Sequence, residues 1–122
     1  MIGLFLTNDL LFSSQVTGAA QAQSAVLEIC MSPARLLERV GVGDVALVLL
    51  DLTFPGLDVA GLVKSLRATA PAAHLVAYGP HVQLDVLNAA VAAGCQQVMA
   101  RGQFHVEYAQ LLRRHLTAAP GP

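Results

Sequence analysis

The hydrophobic pattern alternates short apolar runs with longer amphipathic stretches along the whole chain. The clearest run is Val45-Ala46-Leu47-Val48-Leu49-Leu50, which has no polar interruption and ends at Asp51. Continuous apolar character of that length predicts a strand buried on both faces, as in a parallel sheet. Ile2 to Thr7, Ala25 to Met31, Ala73 to Tyr78 and Cys95 to Ala100 read as four further strands.

Between them lie stretches of helical spacing. Asp9 to about Ala22 carries Leu10, Leu11, Val16 and Ala20, with Asp9 placed to suit the positive end of a helix dipole. Ser32-Pro33 supplies an N-cap and a first-turn proline for a helix from Pro33 to Val40 that ends at Gly41. Leu57 to about Thr69 is the next helix, closed by Pro71. His81 to Ala93 follows and stops at Gly94, which suits a left-handed C-terminal cap. The last helix runs from Gln103 to Leu116, and residues 117–122 form a tail. Strands and helices that alternate strictly imply right-handed crossovers and a parallel sheet with helices on both faces, an α/β domain spanning 1–116.

Composition changes this picture in two ways. The chain of 122 residues is 55% hydrophobic and only 12% charged, so part of its surface is apolar or neutral and suited to a partner. The stretch Leu10 to Leu27 carries no charge, and His81 to Ala93 carries only Asp85. A net charge of −1, with scattered basic residues, lacks the footprint of a nucleic-acid binder. Cys30 and Cys95 have no ligand spacing and read as core residues, and His74, His81, His105 and His115 show none either. No leader and no run of 18 apolar residues is found, and the expectation is a soluble cytoplasmic protein with no membrane partner.

Candidate chemistry concentrates at the carboxyl ends of the strands, where open α/β sheets form a crevice. Asp51 ends the third strand there, and a doubly wound order would bring Asn8 and Asp9 beside it. Two carboxylates in one wet pocket repel, and Mg²⁺, which needs few protein ligands, is the usual remedy. Arg101, read as ending the fifth strand, could add a cation. Simpler roles stand beside these: Asp51 as a turn residue, Asp9 as a helix cap, Arg101 as a solvated charge. No Gly-x-Gly-x-x-Gly or P-loop string supports a nucleotide or flavin site.

Leu49-Leu50-Asp51-Leu52-Thr53-Phe54-Pro55-Gly56-Leu57-Asp58 resembles the phosphoacceptor strand and following loop of response-regulator receiver domains, the family of the chemotaxis regulator. Ala89-Ala90-Val91-Ala92-Ala93-Gly94-Cys95 is similar to that family's fourth-helix ending. The resemblance implies a flavodoxin-like, doubly wound five-stranded sheet of order 2-1-3-4-5. It implies that Asp51 accepts a phosphoryl group from a histidine kinase or phosphotransfer protein, with Mg²⁺ held by Asp9, Asp51 and the Thr53 carbonyl. Asn8 stands where the family usually has an acid. Gly79 replaces the Thr or Ser that follows the fourth strand, Arg101-Gly102 replaces Lys-Pro, and Val98 replaces an aromatic for which Tyr78 could substitute. The implied function is a non-enzymatic, single-domain regulator in two-component signalling, acting on a downstream protein. The alternative is a pseudo-receiver that needs no phosphorylation and serves as an interaction module. Either form could be a homodimer.

Overall fold

The structure, a computed structural model, describes residues 1–116. The expected tail at 117–122 lies outside the described residues. The strands are β1 (Ile2–Leu6), β2 (Val26–Cys30), β3 (Val45–Asp51), β4 (His74–Gly79) and β5 (Gln97–Ala100). The helices are α1 (Leu10–Ala22), α2 (Pro33–Val42), α3 (Val59–Thr69), α4 (Leu84–Ala93) and α5 (Arg101–Leu116). The five strands form one sheet in the order β2-β1-β3-β4-β5, parallel throughout. Strand order and fold class match the flavodoxin-like expectation.

Side-chain alternation along each strand divides the core between the two faces of the sheet. Phe5, Leu47, Leu49, Val76, Tyr78 and Met99 face α1 and α5, whose Phe12, Val16, Phe104, Leu111 and Leu112 cover them. Leu4, Leu6, Val48, Leu50, Leu75 and Ala77 face α2, α3 and α4, covered by Leu36, Val40, Leu62, Val63, Leu66 and Ala90. A continuous apolar β3 is what such two-sided burial requires. The first face is aromatic: Tyr78 lies stacked on Phe104 at 4.1 Å, and Phe5 meets Phe12 edge-on at 6.3 Å. Contacts of this kind add about 0.5–1.5 kcal/mol each beyond burial.

Several element ends differ from the sequence reading. Helix α2 continues through Gly41 to Val42 and stops at Gly43, where φ is +97°. Gly41 tolerates the helix; Gly43 adopts a backbone that other residues resist. α3 begins at Val59 because Asp58 caps it, accepting from the Gly61 amide at 3.1 Å. α4 begins at Leu84, since Pro80 to Gln83 close a turn in which the Gln83 amide donates to the Pro80 carbonyl. The fourth strand starts at His74 rather than Ala73 and runs on through Gly79, whose Cα pairs in register with Ala100. β5 starts at Gln97 because the Cys95 amide is spent on the Ala90 carbonyl of the preceding helix. α5 takes in Arg101 and Gly102, so Arg101 opens a helix rather than ending a strand. The Ser32 cap and the left-handed Gly94 cap are as expected.

No helix among the described residues is long and apolar enough to cross a membrane. The two glycines of α2's last turn make opposite predictions. Nothing lies within 4 Å of a Cβ added at either. Gly43→Ala therefore isolates backbone strain and should lower unfolding free energy by about 1–3 kcal/mol. Gly41→Ala should instead raise it by about 0.5–1 kcal/mol. Urea unfolding of both variants checks the pair; equal effects would contradict this assignment of the helix end.

Candidate functional site

Register places the site before any side chain is considered. Leu6 pairs with Leu50, and Asp51 pairs with Tyr78. The next position along β1 is Thr7, so Thr7, Asp51 and Tyr78 form a row across three strands at the carboxyl rim. Period-two alternation puts all of them on the face of Phe5, Leu49 and Val76, under α1 and α5.

Asp51 is 1% exposed, and each of its carboxylate oxygens already accepts hydrogen bonds. The Thr7 hydroxyl donates to Oδ2 at 2.8 Å. The Thr53 amide and hydroxyl donate to Oδ1 at 2.9 and 2.6 Å. A carboxylate removed from water needs such donors, and here it has three. Thr53 thus meets Asp51 through its donors.

Thr7 also accepts from the Asp9 amide at 3.0 Å, which ties the start of α1 to Asp51 through one hydroxyl. The Tyr78 phenol is fully buried, and its oxygen lacks a hydrogen bond of full geometry. Thr7 is the polar side chain that faces it. Burial, reinforced by the negative charge of Asp51, pushes the Tyr78 phenol well above its ordinary range. It therefore stays neutral.

Asp9 is committed elsewhere. One oxygen, Oδ1, caps α1 by accepting from the Phe12 amide at 3.0 Å. Oδ2 pairs with Nη2 of Arg101 at 2.7 Å. The guanidinium also sits above the Phe12 ring, 5.9 Å from its centre. Asn8 is exposed.

The remaining positions lie close by with different surroundings. Gly79 is buried at the end of β4, and a Cβ there would come within 3.3 Å of the Leu52 Cβ and 3.5 Å of Leu87. A side chain there would press on Leu52, which would have to give by a few tenths of an ångström. Val98 is half-buried on the opposite face of the sheet, whereas Tyr78 is wholly inside.

Mg²⁺ requires free oxygen lone pairs in near-octahedral array. Those of Asp51 point at Thr7 and Thr53, and those of Asp9 at Phe12 and Arg101. Among the described residues, no group of three or more His, Cys, Asp or Glu side chains could hold a metal ion. As arranged, the Asp9 oxygens are engaged by the Phe12 amide and by Arg101, which brings a positive charge to the rim.

The residue that the sequence reading passed over is Thr7. Its signal was present: a polar residue closing an apolar strand, on the same alternation as Phe5. The sequence reading names Asn8 and Asp9 as neighbours of Asp51; the structure links Asp9 to Asp51 through the Thr7 hydroxyl and leaves Asn8 exposed.

The Asp9 carboxyl is held below the ordinary carboxylate range, first by the Phe12 amide and then by Arg101, against the opposing effect of desolvation. A depressed folded value stabilises the protein above the ordinary carboxylate pKa of about 3.9, and that contribution is lost as pH falls through the folded value. A carboxyl NMR titration should give Asp9 a midpoint below that range. Arg101→Gln should raise the midpoint only part of the way, because the Phe12 amide remains. An ordinary or elevated midpoint in the unmodified protein would contradict the geometry.

No family model matches the chain, and no curated protein matches it. Solved structures do. The receiver domain of NtrX from Brucella abortus superposes with a TM-score of 0.77 at 16% identity, covering 92% of this chain and 95% of that one. A two-component response regulator from Clostridium difficile gives 0.76 at 13% identity, covering 93% and 97%. A CheY-like response regulator receiver domain protein from Methanospirillum hungatei JF-1 gives 0.75 at 13% identity, covering 92% and 93%. Near-complete coverage in both directions, with the strand order already described, makes the fold of this chain that of the response-regulator receiver domains.

Proposed function

We propose that this chain is a single receiver-fold module, spanning 1–116, that serves cytoplasmic signalling through protein–protein contact and without phosphoryl transfer. The observation that carries the reading is the state of Asp51: buried, with donors on both carboxylate oxygens. Attack on a phosphoryl donor needs a free lone pair in line with the leaving group and local neutralisation of the phosphoryl charge. Thr7 and Thr53 donate to both carboxylate oxygens, and Arg101 spends its charge on Asp9. Gly79 supplies no hydroxyl to a phosphoryl group. These three features act in one direction.

Output by contact suits the surface. Leu10 and Leu11 at the start of α1 are exposed, as are Val82 and Leu84 around the start of α4 and Val91 further along it. Exposed aliphatic side chains on nearly uncharged helices favour a protein partner.

A second reading keeps Asp51 as a phosphoacceptor, Mg²⁺ as its cofactor and a histidine kinase or phosphotransfer protein as donor. It is favoured by the position of Asp51 at the carboxyl end of β3, with the Thr53 amide on its Oδ1. In that reading Thr7 and Thr53 must turn away before chemistry.

Incubation with Mg²⁺ and a small acyl-phosphate donor, followed by intact mass measurement, separates the two. The expected result is no added phosphate on the wild type. An adduct on wild type that is absent from Asp51→Asn and Asp51→Ala would establish the second reading and remove the first.

A further inference from the structure

We propose that Arg101 is the resident cation of the rim cleft: its guanidinium takes the place of a divalent ion, so that the folded domain does not bind one there. The inference deepens the phosphorylation-independent reading. It rests on that reading only in treating the Asp9 and Asp51 cleft as the centre of the module.

The first ground is the geometry at Asp9. Nη2 of Arg101 lies 2.7 Å from Oδ2 of Asp9, a charge-assisted hydrogen bond at the short end of its range. The other oxygen of Asp9 is held by the Phe12 amide at 3.0 Å, so each of its oxygens already accepts a donor. A guanidinium is permanently charged and planar, and it can stack while it pairs. Arg101 does both, with its Cζ 5.9 Å from the centre of the Phe12 ring.

The second ground is the chain path. β5 ends at Ala100 and α5 starts at Arg101 with no loop between them. The backbone at Arg101 is therefore fixed by both elements, and its side chain reaches across to the first turn of α1. The contact joins residues 92 apart in sequence and closes the rim between two helices. A shorter ammonium on a loose loop would not be fixed in this way.

The third ground is Asp51 itself. Its oxygens face the hydroxyls of Thr7 and Thr53, which donate rather than coordinate in this arrangement. A cation entering the cleft would have to displace Arg101 from Asp9 and reverse those hydroxyls. Arg101 offsets the charge of Asp9, while the three donors on Asp51 offset the desolvation of the second carboxylate.

Magnesium chloride titration at constant ionic strength, followed by amide NMR shifts, tests the proposal on the intact chain. The wild type should show no saturable shift at Thr7, Asn8, Asp9, Asp51 or Thr53 through millimolar Mg²⁺. Arg101→Gln frees Oδ2 of Asp9 and should show saturable shifts at those residues, with Mg²⁺ affinity raised by roughly tenfold or more. A lowered melting temperature alone would follow from any lost contact, whereas the gain of Mg²⁺ response would not. Saturable wild-type shifts at those residues would overturn the proposal, as would an Arg101→Gln protein that folds and stays blind to Mg²⁺. Should Arg101→Gln fail to fold, Arg101→Met retains the packing over Phe12 and replaces it in the same comparison. The mass measurement reads Asp51 and this titration reads Asp9 and Arg101, so either reading can fail alone.

Discussion

A carboxylate cannot be taken from water without donors, and the rim of this sheet is arranged around that requirement at Asp51. The apolar β3 delivers Asp51 to a place where it is 1% exposed. Register then brings Thr7 alongside, and the turn after the strand brings the Thr53 amide and hydroxyl. Thr7 passes the constraint onward, since its oxygen accepts the Asp9 amide that begins α1. Asp9 passes it further, through the Phe12 amide and Arg101 to the start of α5. One buried charge thus organises the entry of two helices.

The aromatic face beneath supports the same elements by a different force. Phe12 of α1 and Phe104 of α5 pack on Phe5 and Tyr78, and the near-parallel stack of Tyr78 on Phe104 fills the space below the rim. Arg101 sits where both systems meet, paired with Asp9 and over Phe12. Polar and apolar contacts therefore fix the same two helices.

Much of the architecture was legible in the sequence. The apolar runs, the Ser32-Pro33 start and the Gly94 stop each have a local cause, so pattern alone locates them. Element ends were less legible where two glycines lie in one turn: Gly41 and Gly43 differ in backbone angle, which composition does not reveal. The site was legible as a place and only partly as a set of contacts. Asp51 is marked by its position after an apolar run. Its bond to Thr7 depends on strand register, and the Asp9–Arg101 pair spans nearly the whole chain, so neither follows from local spacing. Receiver resemblance directed attention to acids, whereas the geometry rests on hydroxyls and a guanidinium.

The central claim is that the Thr7 hydroxyl and the Asp51 carboxylate act as one buried unit. A double-mutant cycle of Thr7→Val and Asp51→Ala, with unfolding free energies from urea titration, measures it directly. The account predicts a coupling of about 1–3 kcal/mol between the two sites, because either change alone leaves a buried polar partner unsatisfied. Additive effects would show that the two groups do not depend on each other, and would contradict the account.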